Sequence, residues 1–256
     1  MIMRNLLILL LCLLSLGCSS RERGTQRTRV RSAERTEEQS SGRRGRVERS
    51  REAENSRGSA STASRSKGKV LSASEIFDKY APAVFKIHAV GDYVSSQGSG
   101  FFISSDGVAI SNYHVFEGTT KGYEQIILND GTQHKVEKVY HFSKAEDFII
   151  FKVALSSKVR YIPIANSSPK VGEKVFTIGS PRGLDNTLSS GEVSQLRDGG
   201  NIIQINAPVD HGSSGGVLLN AYGEAIGITS AGIDDSPANL NFAINISILK
   251  PYIPKL

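Results

Sequence analysis

The stretch "DHGSSGGVLLN", Asp210 to Asn220, is half loop and half strand: three glycines and two serines run directly into an apolar Val-Leu-Leu. Glycine reaches backbone conformations closed to other residues, so this density of it marks a loop that must turn sharply or approach another chain closely. A serine held among such glycines, beside main-chain N–H groups outside any ladder, suits an acyl-transfer nucleophile. That reading requires a base for the hydroxyl proton, an acid to orient the base, and a fold that delivers both to one place.

Outward from this loop the pattern is one of short strands. "AVFKIHAV", "GSGFFIS", "GVAISNY", "EQIILND", "KVEKVYHF" and "DFIIFKVA" precede it, followed by "KVFTIG", "SSGEVSQLR" and "NIIQINA"; "GVLLNA", "EAIGITSAG" and "LNFAINI" continue from it. Turn signals separate them, among them Ser105-Asp106-Gly107, Asn129-Asp130-Gly131, Asp198-Gly199-Gly200-Asn201 and Ala221-Tyr222-Gly223. One helix is expected in "SASEIFDKYAPAV", capped by Ser72 or Ser74, with Ile76, Phe77 and Tyr80 on its apolar face and Pro82 as its stop. A dozen short strands with so little helix predict an all-β sandwich or barrel arrangement. No repeat of fixed period is present.

Composition divides the 256 residues into three parts. Residues 1–17 read as a leader: Arg4 supplies a positive start, Leu6 to Leu14 an apolar run too short to span a bilayer comfortably, and "SLGC" a small-residue end. Gly17-Cys18 followed by Ser19-Ser20 resembles a bacterial lipoprotein cleavage site, which implies lipidation of Cys18 and a membrane anchor. Ser15 departs from that pattern, which usually has an aliphatic residue there; ordinary signal-peptide cleavage is the alternative. Both cysteines, Cys12 and Cys18, lie in the leader or at its cleavage site, so the folded part beyond holds neither a disulfide nor a thiol nucleophile.

Residues 18–70 read as a tether. Arg, Ser and Glu dominate, and from Ser19 to Lys69 Val30 and Val47 are the only sizeable apolar side chains, too few to offset chain entropy. Its net charge from Ser19 to Lys69 is +8, whereas Val70 to Leu256 carries −3, so the basic balance of the whole chain belongs to the tether. The tether reads as a solvated, extended spacer in preference to a nucleic-acid-binding arm. Residues 71–256 are then one domain large enough for a substantial core.

Five histidines are available as the base. His88, His134 and His141 fall within or beside expected strands, and His211 on the rim of the glycine loop; His114 lies where "ISNY" opens into a loop. Asp147 stands at the head of "FIIFKV", where an acid entering a core must be paired, since an isolated buried charge is costly. The other reading of Asp147 is a wet cap of the "SKAED" turn. Asp106 and Asp130 are better explained as turn residues. The scattered histidines give no ligand spacing, and neither a metal nor a cofactor is called for.

The order His114, Asp147, Ser214 resembles that of trypsin-like serine proteases, and the surrounding segments resemble the HtrA (DegP-like) branch. "GSGFFISSDGVAISNYHVFEG", "AEDFIIFKV", "VFTIGSPRGL", "SSGEVSQLRDGG", "HGSSGGVLLNAYGEAIGI" and "NFAINI" follow in that family's order, from about Ala73 to Ile248. The resemblance implies two six-stranded β-barrels, about 83–165 and 170–248, with a triad of His114, Asp147 and Ser214. It implies an oxyanion hole of Gly212 and Ser214 with Ser213 beside them. Val209 is implied as a floor favouring small or medium aliphatic side chains, and the segment Ile228, Thr229, Ser230, Ala231 as a strand edge for substrate. Extended or unfolded polypeptide in a bacterial envelope is the implied substrate, and trimers are common in the family. Ser213 stands where the family often has Asn, Val217 where it often has Pro or Ala, and Asp210-His211 replaces a commoner Asn-x pair. No PDZ domain is expected after the last strand. The competing reading, from the altered flank, is an anchored binding or scaffold protein with a dormant site.

Overall fold

The apolar runs that do not alternate decide the architecture. In "FIIFKV", Phe148 and Ile150 pack into one core while Ile149, Phe151 and Val153 pack into another, so the strand is buried on both faces. Each such apolar side chain contributes about 1.5–3 kcal/mol relative to exposure, which favours a seam where two sheets share a strand's two sides. The computed structural model of the chain describes residues 68–91, 95–180, 185–232 and 240–255. The leader, Cys18, the tether to residue 67 and the residues 181–184 of the quoted segments lie outside the described residues.

Helix α1 (Ala73–Tyr80) begins at Ser72, whose hydroxyl accepts from the Glu75 N–H while the Glu75 carboxylate accepts from the Ser72 N–H, a reciprocal capping box. Ile76 and Tyr80 are its buried face; Phe77, expected with them, is partly buried against the same core. A short 3-10 turn, Ala81–Ala83, with Pro82 inside it follows and leads into the first strand.

The first sheet contains β1 (Val84–Val90), β2 (Ser95–Phe102), β3 (Val108–Ser111), β4 (Gln125–Ile127), β5 (Gln133–His134), β6 (Val136–Ser143) and β7 (Phe148–Val153). Their order is β5-β4-β1-β2-β3-β7-β6, with all pairings antiparallel. Strand β5 was not among the sequence expectations. It explains how the sheet curls: β5 and β6 form opposite edges yet are separated by Lys135 alone, so one bent stretch of chain joins them. The Lys135 carbonyl accepts from the Ala154 N–H just beyond β7 at that bend.

The second sheet is a closed barrel of β8 (Lys174–Gly179), β9 (Thr187–Arg197), β10 (Ile202–Ile205), β11 (Val217–Asn220), β12 (Ala225–Gly232) and β13 (Asn241–Asn245), ordered β10-β13-β12-β11-β8-β9. The result is a mostly β, trypsin-like fold.

Three cores follow from side-chain alternation. One lies inside the first sheet around Phe85, Phe102 and Phe151, and one inside the second around Ile203, Leu218 and Ile226. The third lies between them, where Phe101, Ile110 and Phe148 meet Phe176, Val217 and Ile228, and Ile76 of α1 joins it. At that seam β3 ends, and β7 and β11 begin, and each of these three strand ends carries one of the residues singled out in the sequence.

Candidate active site

Asp147 precedes β7 with φ 55°, a left-handed conformation that Asp tolerates better than most side chains. Its main-chain carbonyl accepts from the side-chain Nδ2 of buried Asn112 at 2.9 Å. Its carboxylate reaches back across the sheet: Oδ1 accepts from the His114 main-chain N–H and Oδ2 faces His114 Nδ1, each at 2.8 Å. An ionised carboxylate only accepts, so this bond places the proton of a neutral His114 on Nδ1 and leaves Nε2 as an acceptor. The Asp147 side chain is 19% exposed and that of His114 is 42% exposed, so the acid sits behind the imidazole and the imidazole faces the cleft. Asp147 is thus paired, as a carboxylate at the head of a buried strand must be.

The cleft has a volume of about 300 Å³ and is lined by Gln97, His114, His211, Gly212 and Ser214. His211, expected as a rim residue, is exposed and lies in this lining. Here the glycines of the opening stretch have a physical reason. Gly212 and Gly215 have φ of 90° and 86°. A Cβ on Gly215 would also lie 2.1 Å from the Ser99 carbonyl oxygen and 2.3 Å from Ser111 Oγ, so no larger residue fits.

The peptide planes of the loop are held in turn. The Gly212 carbonyl accepts from the Ser99 hydroxyl at 2.8 Å, and the Ser213 N–H at the other end of that plane donates to the Asp210 carbonyl at 3.0 Å. The Ser213 carbonyl accepts from the Gly216 N–H and from the Thr229 hydroxyl, at 2.9 and 2.7 Å. The Ser214 carbonyl accepts from the Ser99 N–H, and the Gly215 N–H donates to the Thr229 carbonyl, both at 2.8 Å. Among the described residues, the N–H groups of Gly212 and Ser214 donate to no protein acceptor. Ser213, expected beside them as an oxyanion donor, is removed from that set because Asp210 holds its N–H.

The Ser214 hydroxyl donates to the Ser230 main-chain carbonyl at 2.7 Å. The Ser230 hydroxyl in turn lies 3.5 Å from Asp147 Oδ2, at the limit of a hydrogen bond. The expected strand edge from Ile228 to Ala231 is narrower than the sequence implied. Ile228 still pairs with Val217 of β11 and is fully buried, and Thr229 N–H donates to the Gly216 carbonyl at 2.9 Å. Among the described residues, the edge without a neighbouring strand therefore starts at Ser230 and runs along Ala231. Val209 is half-buried against the core of the second barrel, below the loop.

Three polar residues absent from the sequence reading support this site. Ser99 binds the nucleophile loop, and Ser111 holds Ser99, its hydroxyl donating to the Ser99 carbonyl at 2.7 Å. Asn112 holds Asp147. A signal for Ser99 was present in "GSG": glycines on both sides of one serine in a strand mark a close backbone approach. A Cβ on Gly98 would lie 2.6 Å from Val115 and 3.0 Å from the Ser214 carbonyl.

The arrangement is that of a trypsin-like peptidase, and comparison with known proteins agrees. The family model of the trypsin-like peptidase domain matches residues 98–228, and the chain belongs to this family. The chain is 35% identical over 170 residues to a "Probable periplasmic serine endoprotease DegP-like" protein of Rhizobium meliloti, covering 63% of this chain and 33% of that one. It is 30% identical over 197 residues to the serine protease HTRA1A of Danio rerio, covering 70% and 40% respectively. The crystal structure of the serine endoprotease from Yersinia pestis superposes with a TM-score of 0.63 at 26% identity, covering 71% of this chain and 65% of that chain. The chain therefore spans about a third to two fifths of the length of these curated relatives, and the matched part is HtrA/DegP-like.

Proposed function

We propose that the protein is a serine endopeptidase that cleaves extended polypeptide through an acyl-enzyme, with Ser214 as nucleophile, His114 as general base and Asp147 as its orienting acid. The observation that carries this is the pair of hydrogen bonds between Asp147 and His114, at the main-chain N–H and at Nδ1, both 2.8 Å, across the cleft from a serine beside two N–H groups that find no acceptor among the described residues. In this reading the Ser214 hydroxyl turns from the Ser230 carbonyl toward His114 Nε2, which takes its proton as Oγ attacks the scissile carbonyl. The electron pair moves to the carbonyl oxygen, which accepts from the Gly212 and Ser214 N–H groups. His114 returns the proton to the leaving amine as the C–N bond breaks, and water repeats the sequence to release the acid. Removing one such oxyanion donor typically costs about 10²–10³ in rate. Val209 favours a small or medium aliphatic side chain on the acyl side, and Ser230 and Ala231 pair with the substrate backbone.

The periplasmic relatives support a place in the bacterial envelope; unfolded proteins as substrates and quality control as the role belong to the same proposal. A lipid anchor at Cys18, the basic tether as a spacer, and a trimeric assembly complete this reading. One observation favours a second reading, a site dormant until substrate arrives: the Ser214 hydroxyl is already engaged by Ser230.

Fluorophosphonate labelling of the protein beside Ser214→Ala, with and without an unfolded polypeptide, tests both. Labelling at Ser214 without polypeptide supports the assembled triad, and labelling only with polypeptide supports dormancy. No labelling in either condition, in folded protein, overturns the enzyme reading.

A further inference from the structure

We infer that Ser99 is a positioning residue that sets the donor geometry of the nucleophile loop from the opposite sheet, a role that rests on the catalytic reading of Ser214. Ser99 lies in β2 of the first sheet, fully buried, more than a hundred residues from the loop in sequence. Each of its hydrogen-bonding groups has a partner. The hydroxyl accepts from the Ser180 N–H at 2.9 Å and donates to the Gly212 carbonyl at 2.8 Å. The main-chain N–H donates to the Ser214 carbonyl at 2.8 Å, and the carbonyl accepts from Ser111.

The consequence is geometric. A peptide plane held at both its C=O and its N–H cannot rotate without breaking two bonds. Ser99 supplies one end of the plane before Ser213 and one end of the plane after Ser214; Asp210 and Thr229 supply the other ends. The N–H groups of Gly212 and Ser214 proposed to bind the oxyanion belong to the adjoining planes 211–212 and 213–214, which meet the clamped planes at shared Cα atoms, so holding those planes limits how far either N–H can swing. A hydroxyl that accepts from Ser180 has its single proton directed to Gly212, and no other donor among the described residues reaches that carbonyl. Without the hydroxyl the plane is held at Ser213 alone and the Ser180 N–H loses its acceptor. The Ser99 main-chain bond survives any side-chain substitution, so the fold is retained while the first plane is released.

The test compares the full chain with Ser99→Ala and Ser99→Thr. In Ser99→Ala, kcat falls about 10- to 100-fold, part of the loss for a missing oxyanion donor, while KM changes less than about threefold. Affinity for a peptidyl trifluoromethyl ketone, whose adduct carries an oxyanion, falls in parallel with kcat. Ser99→Thr restores at least part of both. A second measurement needs no activity: in a Ser214→Ala background, Ser99→Ala speeds hydrogen exchange at the Ser213 amide and leaves the Phe176 and Ile178 amides of β8 unchanged. Unaltered kcat together with unaltered exchange at Ser213 overturns the inference. A wild type without Ser214-dependent hydrolysis refutes the enzyme reading instead, and the exchange measurement then still decides whether Ser99 clamps the loop.

Discussion

Ser214 donates its hydroxyl to the main-chain carbonyl of Ser230, 2.7 Å away, so the proposed nucleophile rests on the strand edge that would receive a substrate. The acceptor belongs to the backbone and survives any substitution at that position. Among the described residues, the Ser230 hydroxyl makes only the 3.5 Å contact with Asp147. Ser230→Ala is therefore expected to lower kcat/KM less than about threefold, since a contact at that distance is worth little. Steady-state kinetics on an unfolded protein substrate checks it, and a hundredfold loss would assign the hydroxyl a direct part in holding Asp147.

Asp147→Asn separates charge from geometry. Asn tolerates the same left-handed backbone, so φ 55° is kept and the thermal midpoint should move little. The amide no longer offers two charged acceptors to His114, and the imidazole loses the tautomer that leaves Nε2 free. A fall in kcat of about 10³–10⁴ is expected, in line with the size of this effect where such triads operate.

Asn112 is fully buried, bonds the Asp147 carbonyl through Nδ2, and leaves Oδ1 without a partner among the described residues. Asn112→Asp puts an acceptor, and a charge, against that carbonyl. It should destabilise by about 3 kcal/mol or more. Asn112→Ala removes the donor and the orphaned oxygen together and should cost less. Urea unfolding of the two variants side by side gives the order, and the reverse order would refute the assignment of the amide.

Two glycines of positive φ should respond differently to alanine. At Gly215 a Cβ would collide with the Ser99 carbonyl, whereas at Gly199, φ 66°, nothing lies within 4 Å. Gly199→Ala is expected to cost about 1 kcal/mol, the price of the backbone alone. Gly215→Ala should cost several times that, or prevent folding, with soluble yield and melting temperature as the readout.

The capping box of α1 gives a pH dependence. Lys69 beside the Glu75 carboxylate, with the Ser72 N–H and hydroxyl, lowers its pKa from 4.5 to about 2. A carboxyl depressed in the folded state binds its proton more readily when unfolded. Its stabilisation is therefore present above about pH 4.5 and is lost as pH falls toward 2. Melting temperatures of wild type and Glu75→Gln should differ near neutrality and converge across that window; a constant difference would rule out the carboxylate as the cause.

Much of this was legible in the sequence where the signal is local. A capping serine, Ser72 or Ser74, announces the helix, the structure choosing Ser72, and the glycines from Gly212 to Gly216 announce a loop that only they can form. The twelve strands expected from alternating or apolar stretches between turn signals are present; runs such as "FIIFKV" record burial directly, while mostly exposed strands such as "SSGEVSQLR" were legible from the turns that bound them. Strand β5 was missed because two residues carry no period. Phe77, expected on the apolar face of the helix, packs against the core but is only partly buried, because helical spacing marks a face and cannot say how far a neighbouring element covers it.

The amino-acid sequence by itself indicated twelve of the strands and the start of the helix, and through its family resemblance it singled out His114, Asp147 and Ser214, since these signals lie in residue type and order along the chain. Tertiary structure alone decided which main-chain groups are left over. That Ser213 gives its N–H to Asp210, that Ile228 and Thr229 are already paired, and that Ser99 grips Gly212 and Ser214 all depend on two sheets meeting at a seam. Hydrogen bonds between residues distant in sequence leave no periodicity to read, and the direction of a peptide plane is fixed only when both of its ends have found a partner.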